Sequence, residues 1–195
     1  MDGLATNIKM CRLLGCQFEY SSLKTYFNIN EKNIYVIFDA CHMQKLMRNM
    51  IADYGVIYDE NNKPINWQYI INLNEIQSKN NIKLGNKLNN NHINYQNQKM
   101  KVKLAVQTLS DSVANALEIL KHFEEFKGVE PTITFIRNVD ILFDILNSRS
   151  IFGKLYKAPM RQDNWMENET KLKQIKSYLL KLKTIDNVLL ISTKR

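Results

Sequence analysis

An apolar run that stops on a carboxylate and passes at once into a helical pattern constrains this chain more than any other feature. Ile34, Tyr35, Val36, Ile37 and Phe38 are β-branched or aromatic, Asp39 ends the run, and Met43, Leu46, Met47 and Met50 follow at helical intervals. The pattern predicts a buried strand feeding a helix that runs to about Asp53. Asp39 then stands at the C-terminal end of a strand, beside free helix amides, a place suited to a ligand or metal ion. It equally suits a plain helix N-cap, and neither His42 nor Arg48 separates the two readings. One strand cannot complete a layer, so Ile34 to Phe38 also reads as an apolar edge open to association.

Ahead of this run, Leu4, Ile8, Cys11 and Leu14 mark a short helix, and Gly15 is placed to end it. Gln17 to Asn30 mixes Phe18, Tyr20, Tyr26 and Phe27 with polar residues and reads as a loop with a brief strand or turn. Gly55, Asp59, Asn61, Asn62 and Pro64 are turn formers, which sets a domain boundary near residue 60, dividing 1–58 from 59–195. Beyond it the pattern is helical, beginning with Trp67, Ile70, Ile71 and Ile76. Asn86 to Gln98 is asparagine-rich and reads as a polar loop. Val102, Val106, Leu109, Val113, Leu117 and Leu120 step by three and four along one buried helix face, with a bend expected at Ser110. Pro131 and Thr132 open a helix striped by Ile136, Val139, Phe143 and Leu146, with Asp140, Asp144 and Asn147 sharing another face. After a break at Gly153 and Pro159, Leu172, Ile175, Leu179 and Leu182 mark a last helix. Val188 to Arg195 reads as a closing strand. The expected fold class is α+β, mostly α: a partial α/β layer followed by an all-helical domain.

With 195 residues, 45% of them hydrophobic, the chain can bury a core. Lys and Arg number 27 against 19 Asp and Glu, a net +8 that favours an anionic partner such as a nucleotide or nucleic acid. Cys11, Cys16 and Cys41 form no C-x-x-C pair, which argues against a disulfide framework or a zinc site. Neither a signal peptide nor a membrane span is read, so a soluble intracellular protein without a membrane partner is expected. Phosphate-loop and nucleophile-elbow motifs are absent, and His42, His92 and His122 lack metal-ligand spacing. Two constellations remain. Asp39 could hold a divalent metal, but Mg2+ chemistry calls for further carboxylates. In the second, Lys101, Lys103, Ser110 and Ser112 stand with Asn138, Asp140, Asp144 and Asn147. Lysines can meet phosphates, and a carboxylate can accept both N–H donors of a guanine edge. The same residues also suit two solvated helix faces.

Phe38 to Asn49, with its Asp-x-x-His-x-x-Lys-x-x-Arg-Asn core, and Lys99 to Ser110, Lys-Met-Lys-Val-Lys-Leu-Ala-Val-Gln-Thr-Leu-Ser, together resemble the P-element transposase family. Transposase relatives carrying THAP zinc fingers are among its members. Thr6 to Met10, Leu14 to Cys16, Trp67, Tyr69, Ile70 and Phe143 to Ser148 extend the resemblance along nearly the whole chain. It implies part of a ribonuclease-H-like domain over 1–58 and a helical, GTP-binding insertion domain over 59–195. It further implies Mg2+-dependent DNA transposition on transposon ends, a nuclear location, and contact with full-length relatives. Asp39 would be the second acid of the catalytic triad. Lys101, Lys103, Ser112, Asn138, Asp140 and Asp144 would lie at the nucleotide, with Asp144 on the guanine edge. The family's first catalytic Asp and last Glu have no counterpart here, and Asp2 does not match the first. The zinc finger also has none, so a catalytically incomplete fragment is expected. A helical interaction module without nucleotide, and a nuclease completed by a partner's carboxylates, are the competing readings.

Overall fold

The computed structural model describes residues 1–19 and 22–193. Tyr20 in the aromatic segment, and Lys194 and Arg195 of the expected closing strand, lie outside them. The backbone groups into two compact units, Met1–Met43 and Gln44–Arg195.

In the first unit α1 spans Ala5–Leu13 and ends as its sequence predicts. Gly15 takes φ +102°, and the Cys16 amide reaches back to the Cys11 carbonyl at 2.9 Å, closing the last turn. Strands β1 (Tyr26–Ile29) and β2 (Lys32–Tyr35) form an antiparallel hairpin with Tyr26 opposite Tyr35. Its two-residue turn, Asn30 and Glu31, has φ of 47° and 65°, the left-handed backbone that a tight hairpin demands. The buried strand expected over Ile34 to Phe38 is therefore corrected. The ladder stops at Tyr35, and all four residues of β2 are exposed in a sheet of two strands. Ile34 is 43% exposed and Ile37 72%. Tyr35 and Phe38 each find an aromatic partner, the Tyr26 and Phe18 rings, both 5.6 Å away.

Helix α2 (Ala40–Tyr54) begins in the first unit, and its later turns belong to the second, where Gln44, Lys45, Arg48 and Ile51 are buried. There β3 (Val56–Tyr58) and β4 (Pro64–Asn66) pair as a hairpin that places Ile57 opposite Ile65, both fully buried. Tyr58 and Lys183 exchange backbone hydrogen bonds at 2.9 Å, and the Asn66 amide donates to Thr132 Oγ1 at 3.0 Å. Helices α3 (Gln68–Asn80), α4 (Asn90–Ile93), α5 (Val102–Thr108), α6 (Asp111–Leu120), α7 (Glu130–Leu146) and α8 (Trp165–Leu180) follow. The core is built from Ile70 and Leu73 of α3, Val113 and Leu117 of α6, and Ile133, Ile136 and Val139 of α7, with Trp67 edge-on to Tyr95.

The fold is α+β and mostly α. The stretch expected to be all-helical contains β4, which exists because Val56–Tyr58 supplies its ladder partner. The polar loop expected over Asn86 to Gln98 holds α4 and a 3-10 turn at Tyr95–Gln98, for His92 and Tyr95 are buried anchors within it. On α7 the stripe ends before Leu146, which is 49% exposed where the helix runs past its neighbours, while Phe135 joins the core. In place of a closing strand, Leu189 makes a single bridge to Lys183 and Leu190–Ser192 turns as a 3-10 helix.

Candidate functional site

The helix expected over Val102 to Leu120 breaks at Leu109 and Ser110, giving α5 and α6, with Ser110 as the N-cap of α6 in extended backbone. This break puts two helix segments along one groove. At one end a cavity of about 850 Å³ is lined by Lys83, Lys87, Lys101 and Lys103, with no carboxylate in its lining. At the other a cavity of about 270 Å³ is lined by Ser110, Asp111, Ser112, Asp140, Asp144 and Lys157. Asn86, Lys87 and Gln107 line both.

The lysine end is held by polar side chains that the asparagine-rich segment supplies. Gln77 of α3 accepts the Gly85 amide at 2.5 Å, and Asn74 donates to Asn90 at 2.7 Å. Asn89 caps α4, and the Asn89 amide donates in turn to His92 Nδ1 at 3.1 Å. With Nδ1 accepting, Nε2 carries the proton toward Gln107 Oε1, 3.1 Å away on α5. Burial pulls the His92 pKa down, against the hydrogen bond it donates to Gln107, which pulls it up. A neutral imidazole thus joins α4 to α5 beside Lys101 and Lys103.

Two carboxylates of α7 face the other end. The Asp111 amide, in the first turn of α6, donates to Asp140 Oδ2 at 3.1 Å, so Asp140 is committed to the positive end of a helix. Burial, and then the charge of Asp144, push the Asp140 pKa up to about 6. Asp144 is likewise raised by burial, and the Lys157 ammonium, 3.6 Å away, opposes the rise. Asp144 thus pairs with a flexible lysine, whereas Asp140 accepts from the main chain of α6. Arg137 ties α7 to α6 through Asn115 at 3.0 Å and Glu118 at 3.4 Å.

The groove brings together Lys101, Lys103, Ser112, Asp140 and Asp144, five of the six residues expected at a nucleotide. Asn138 lies on α7 outside the linings of these two cavities. Lys83, Lys87, Gln107 and Lys157 were not legible as site residues. Lys83 and Lys87 flank Gly85 at helical spacing, but nothing in that pattern separates them from a solvated loop.

Asp39 is exposed and N-caps α2, its Oδ2 accepting the His42 amide at 3.0 Å. Among the described residues no group of three or more His, Cys, Asp or Glu side chains is placed to hold a metal ion. A Mg2+ site therefore does not fit the acids present around Asp39, and no step is derived through one. No described helix is long and apolar enough to cross a membrane.

The polycationic groove end and the carboxylate pair thus lie on one mostly helical domain. The family described as TNP-like, GTP-binding insertion domain matches residues 41–159, more than half of the chain, and the chain belongs to it. The human DNA transposase THAP9 is 29% identical over 201 residues, a match that takes in 100% of this chain and 22% of that protein. The chain thus spans about a fifth of the length of this curated relative. The solved Drosophila P element transposase strand transfer complex superposes with a TM-score of 0.78 at 24% identity, covering 98% of this chain and 42% of that one. The resemblance to P-element transposases carried by Phe38 to Asn49 and Lys99 to Ser110 is borne out.

Proposed function

We propose that this chain binds a guanine nucleotide in the groove along α5, α6 and α7, as the nucleotide-binding portion of a P-element-like DNA transposase. The observation that carries the reading is the charge division of one groove. Four lysines and no acid line the wide end, and Asp144 stands at the narrow end. Lys83, Lys87, Lys101 and Lys103 match the charge of a triphosphate. The Asp144 carboxylate can accept both guanine N–H groups, which adenine does not offer in that pattern. Ser112 and Gln107 add neutral hydrogen-bonding groups between the two ends.

Equilibrium binding of fluorescent GTP to the full chain tests this. Saturable binding in the micromolar range is expected, competed by GTP and not by ATP, and weakened at least tenfold by Asp144→Ala. Absence of saturable binding, or an Asp144→Ala variant equal to wild type, overturns it.

The wider assignments rest on the relatives. In this wider reading the chain acts in the nucleus, on transposon-end DNA and in contact with full-length transposase, with Asp39 contributing to a Mg2+ site only when the rest of that enzyme supplies the other acids. The net +8 charge supports the DNA contact, and a steep fall of DNA affinity with salt is its signature. Exposed Ile151, Phe152 and Met166 favour a second reading, a helical interaction module that needs no nucleotide.

A further inference from the structure

Residues 148–164, between α7 and α8, form a strap bonded to itself and to the acid end of the groove. Ser148 Oγ donates to the Lys157 carbonyl at 2.7 Å, and Arg161 reaches the Ile151 carbonyl at 3.0 Å. Any side chain on Gly153 would collide with the Lys157 carbonyl, so the two limbs of the strap are as close as backbones can come. Between them, Leu155 is held at φ +51°, a left-handed conformation that costs a leucine about 1–2 kcal/mol. Phe152 and Leu155 stand 84% and 86% exposed. The strap is therefore strained at its middle and holds two large apolar side chains in water.

Beside the Ser148 bond and the contact of the Leu155–Lys157 turn with α7, an ion pair ties its far end to the groove. Lys157 Nζ lies 3.6 Å from Asp144 Oδ2, with the lysine side chain 67% exposed and the aspartate 20%. With its lysine in water, such a pair is worth about 1 kcal/mol. A ligand making two charge-assisted hydrogen bonds to the same carboxylate outcompetes it.

We propose that Lys157 is a latch: in the empty groove it occupies Asp144 and ties down the strap, and a guanine edge arriving at Asp144 displaces it and frees the strap to fold its apolar side chains over the bound base. This rests on the guanine reading for the identity of the displacing ligand, whereas the latch itself concerns the empty protein. Lys157 is a positioning residue here, since it sets the availability of Asp144 without touching the ligand.

The test uses the full chain and hydrogen exchange of the Ser150–Ala158 amides, with and without GTP. Without nucleotide, Lys157→Met should exchange about three- to fivefold faster than wild type in this segment, Lys157→Arg should match wild type, and Asp144→Asn should reproduce the acceleration. With GTP, wild type should change its protection there, and Lys157→Met should bind roughly threefold tighter. Unchanged exchange in the empty Lys157→Met and Asp144→Asn variants overturns the latch. Weaker GTP binding by Lys157→Met also overturns it, because the ammonium would then be a ligand contact. If wild type binds no GTP while the empty variants loosen the strap, the latch stands and the guanine reading falls.

Discussion

Arg48 lies over the ring of Tyr95, 5.8 Å from guanidinium carbon to ring centre, and donates from Nη2 to the Gln98 carbonyl at 3.0 Å. The guanidinium is fully buried, no carboxylate is among its hydrogen-bond partners, and Nη1 has no partner among the described residues. Its neighbours on α2 act alike: Asn49 reaches the Lys99 carbonyl at 3.3 Å, and Gln44 the Leu109 carbonyl at 3.4 Å. Helix α2 therefore grips the main chain on both sides of α5, the helix that carries Lys103. Arg48→Ala should lower the unfolding free energy by about 3 kcal/mol through the cavity it leaves. Arg48→Met, which fills the space and removes an unpaired buried charge, should cost less than half of that. Urea unfolding followed by circular dichroism distinguishes the two, and equal costs would show that the charge, not the volume, holds α5.

Replacing Asp144 by Asn should exchange the base preference without abolishing binding. An amide accepts one N–H and donates one, so it matches a xanthine edge, with a carbonyl at C2, better than a guanine edge. Competition between GTP and XTP on Asp144→Asn should favour XTP by tenfold or more, about 1.4 kcal/mol. An unaltered preference would remove Asp144 from the base.

Lys87 lines both halves of the groove, so its effect should depend on the number of phosphates. Lys87→Ala should weaken GTP binding roughly tenfold while changing the affinity for guanosine by less than about twofold. Isothermal titration with GTP, GMP and guanosine gives the series directly, and a loss that is uniform across the three would place Lys87 at the base or in the fold instead.

Two buried groups give stability slopes of opposite sign with pH. His92 has its folded pKa lowered by burial, so the unfolded chain takes up the proton first, and the stability it lends is full above about pH 6.5 and lost as pH falls below. Asp140 is raised to about 6 in the fold from 3.8, so its charge costs stability fully above about pH 6 and not at all below about pH 3.8. Asp140→Asn should therefore be more stable than wild type at pH 7, by about 1 kcal/mol after discounting for partial exposure, with the gain gone by about pH 4. His92→Gln should lack the loss of stability that sets in below about pH 6.5. Thermal melts across pH 4 to 8 check both slopes.

Strong period and punctuation made parts of this fold legible in advance. The α1 stop at Gly15, the break at Ser110 and the shared face of Asp140 and Asp144 all follow from spacing within a dozen residues. The hairpin of β1 and β2 was missed because its turn uses Asn30 and Glu31, and a glutamate carries no signal for left-handed backbone. The burial of Lys45, Arg48 and His92 carried no local signal, because it depends on Met100 Sδ, the Gln98 carbonyl and Gln107 Oε1, 15 to 55 positions away in the chain. Lys157 reached the site through the fold of its strap, which no local pattern foretells.

The β3–β4 hairpin bears on how such a chain can be rearranged in a genome. Residues 59–63 look like a dispensable connector. Yet Ile57 and Ile65 face each other across it in full burial, and Tyr58 also bridges to Lys183 near the far end of the sequence. An exon edge or recombination breakpoint at that turn would separate two halves of one ladder. A shuffled gene inheriting only the downstream part would carry Ile65 open to solvent, and selection would favour breakpoints upstream of Val56.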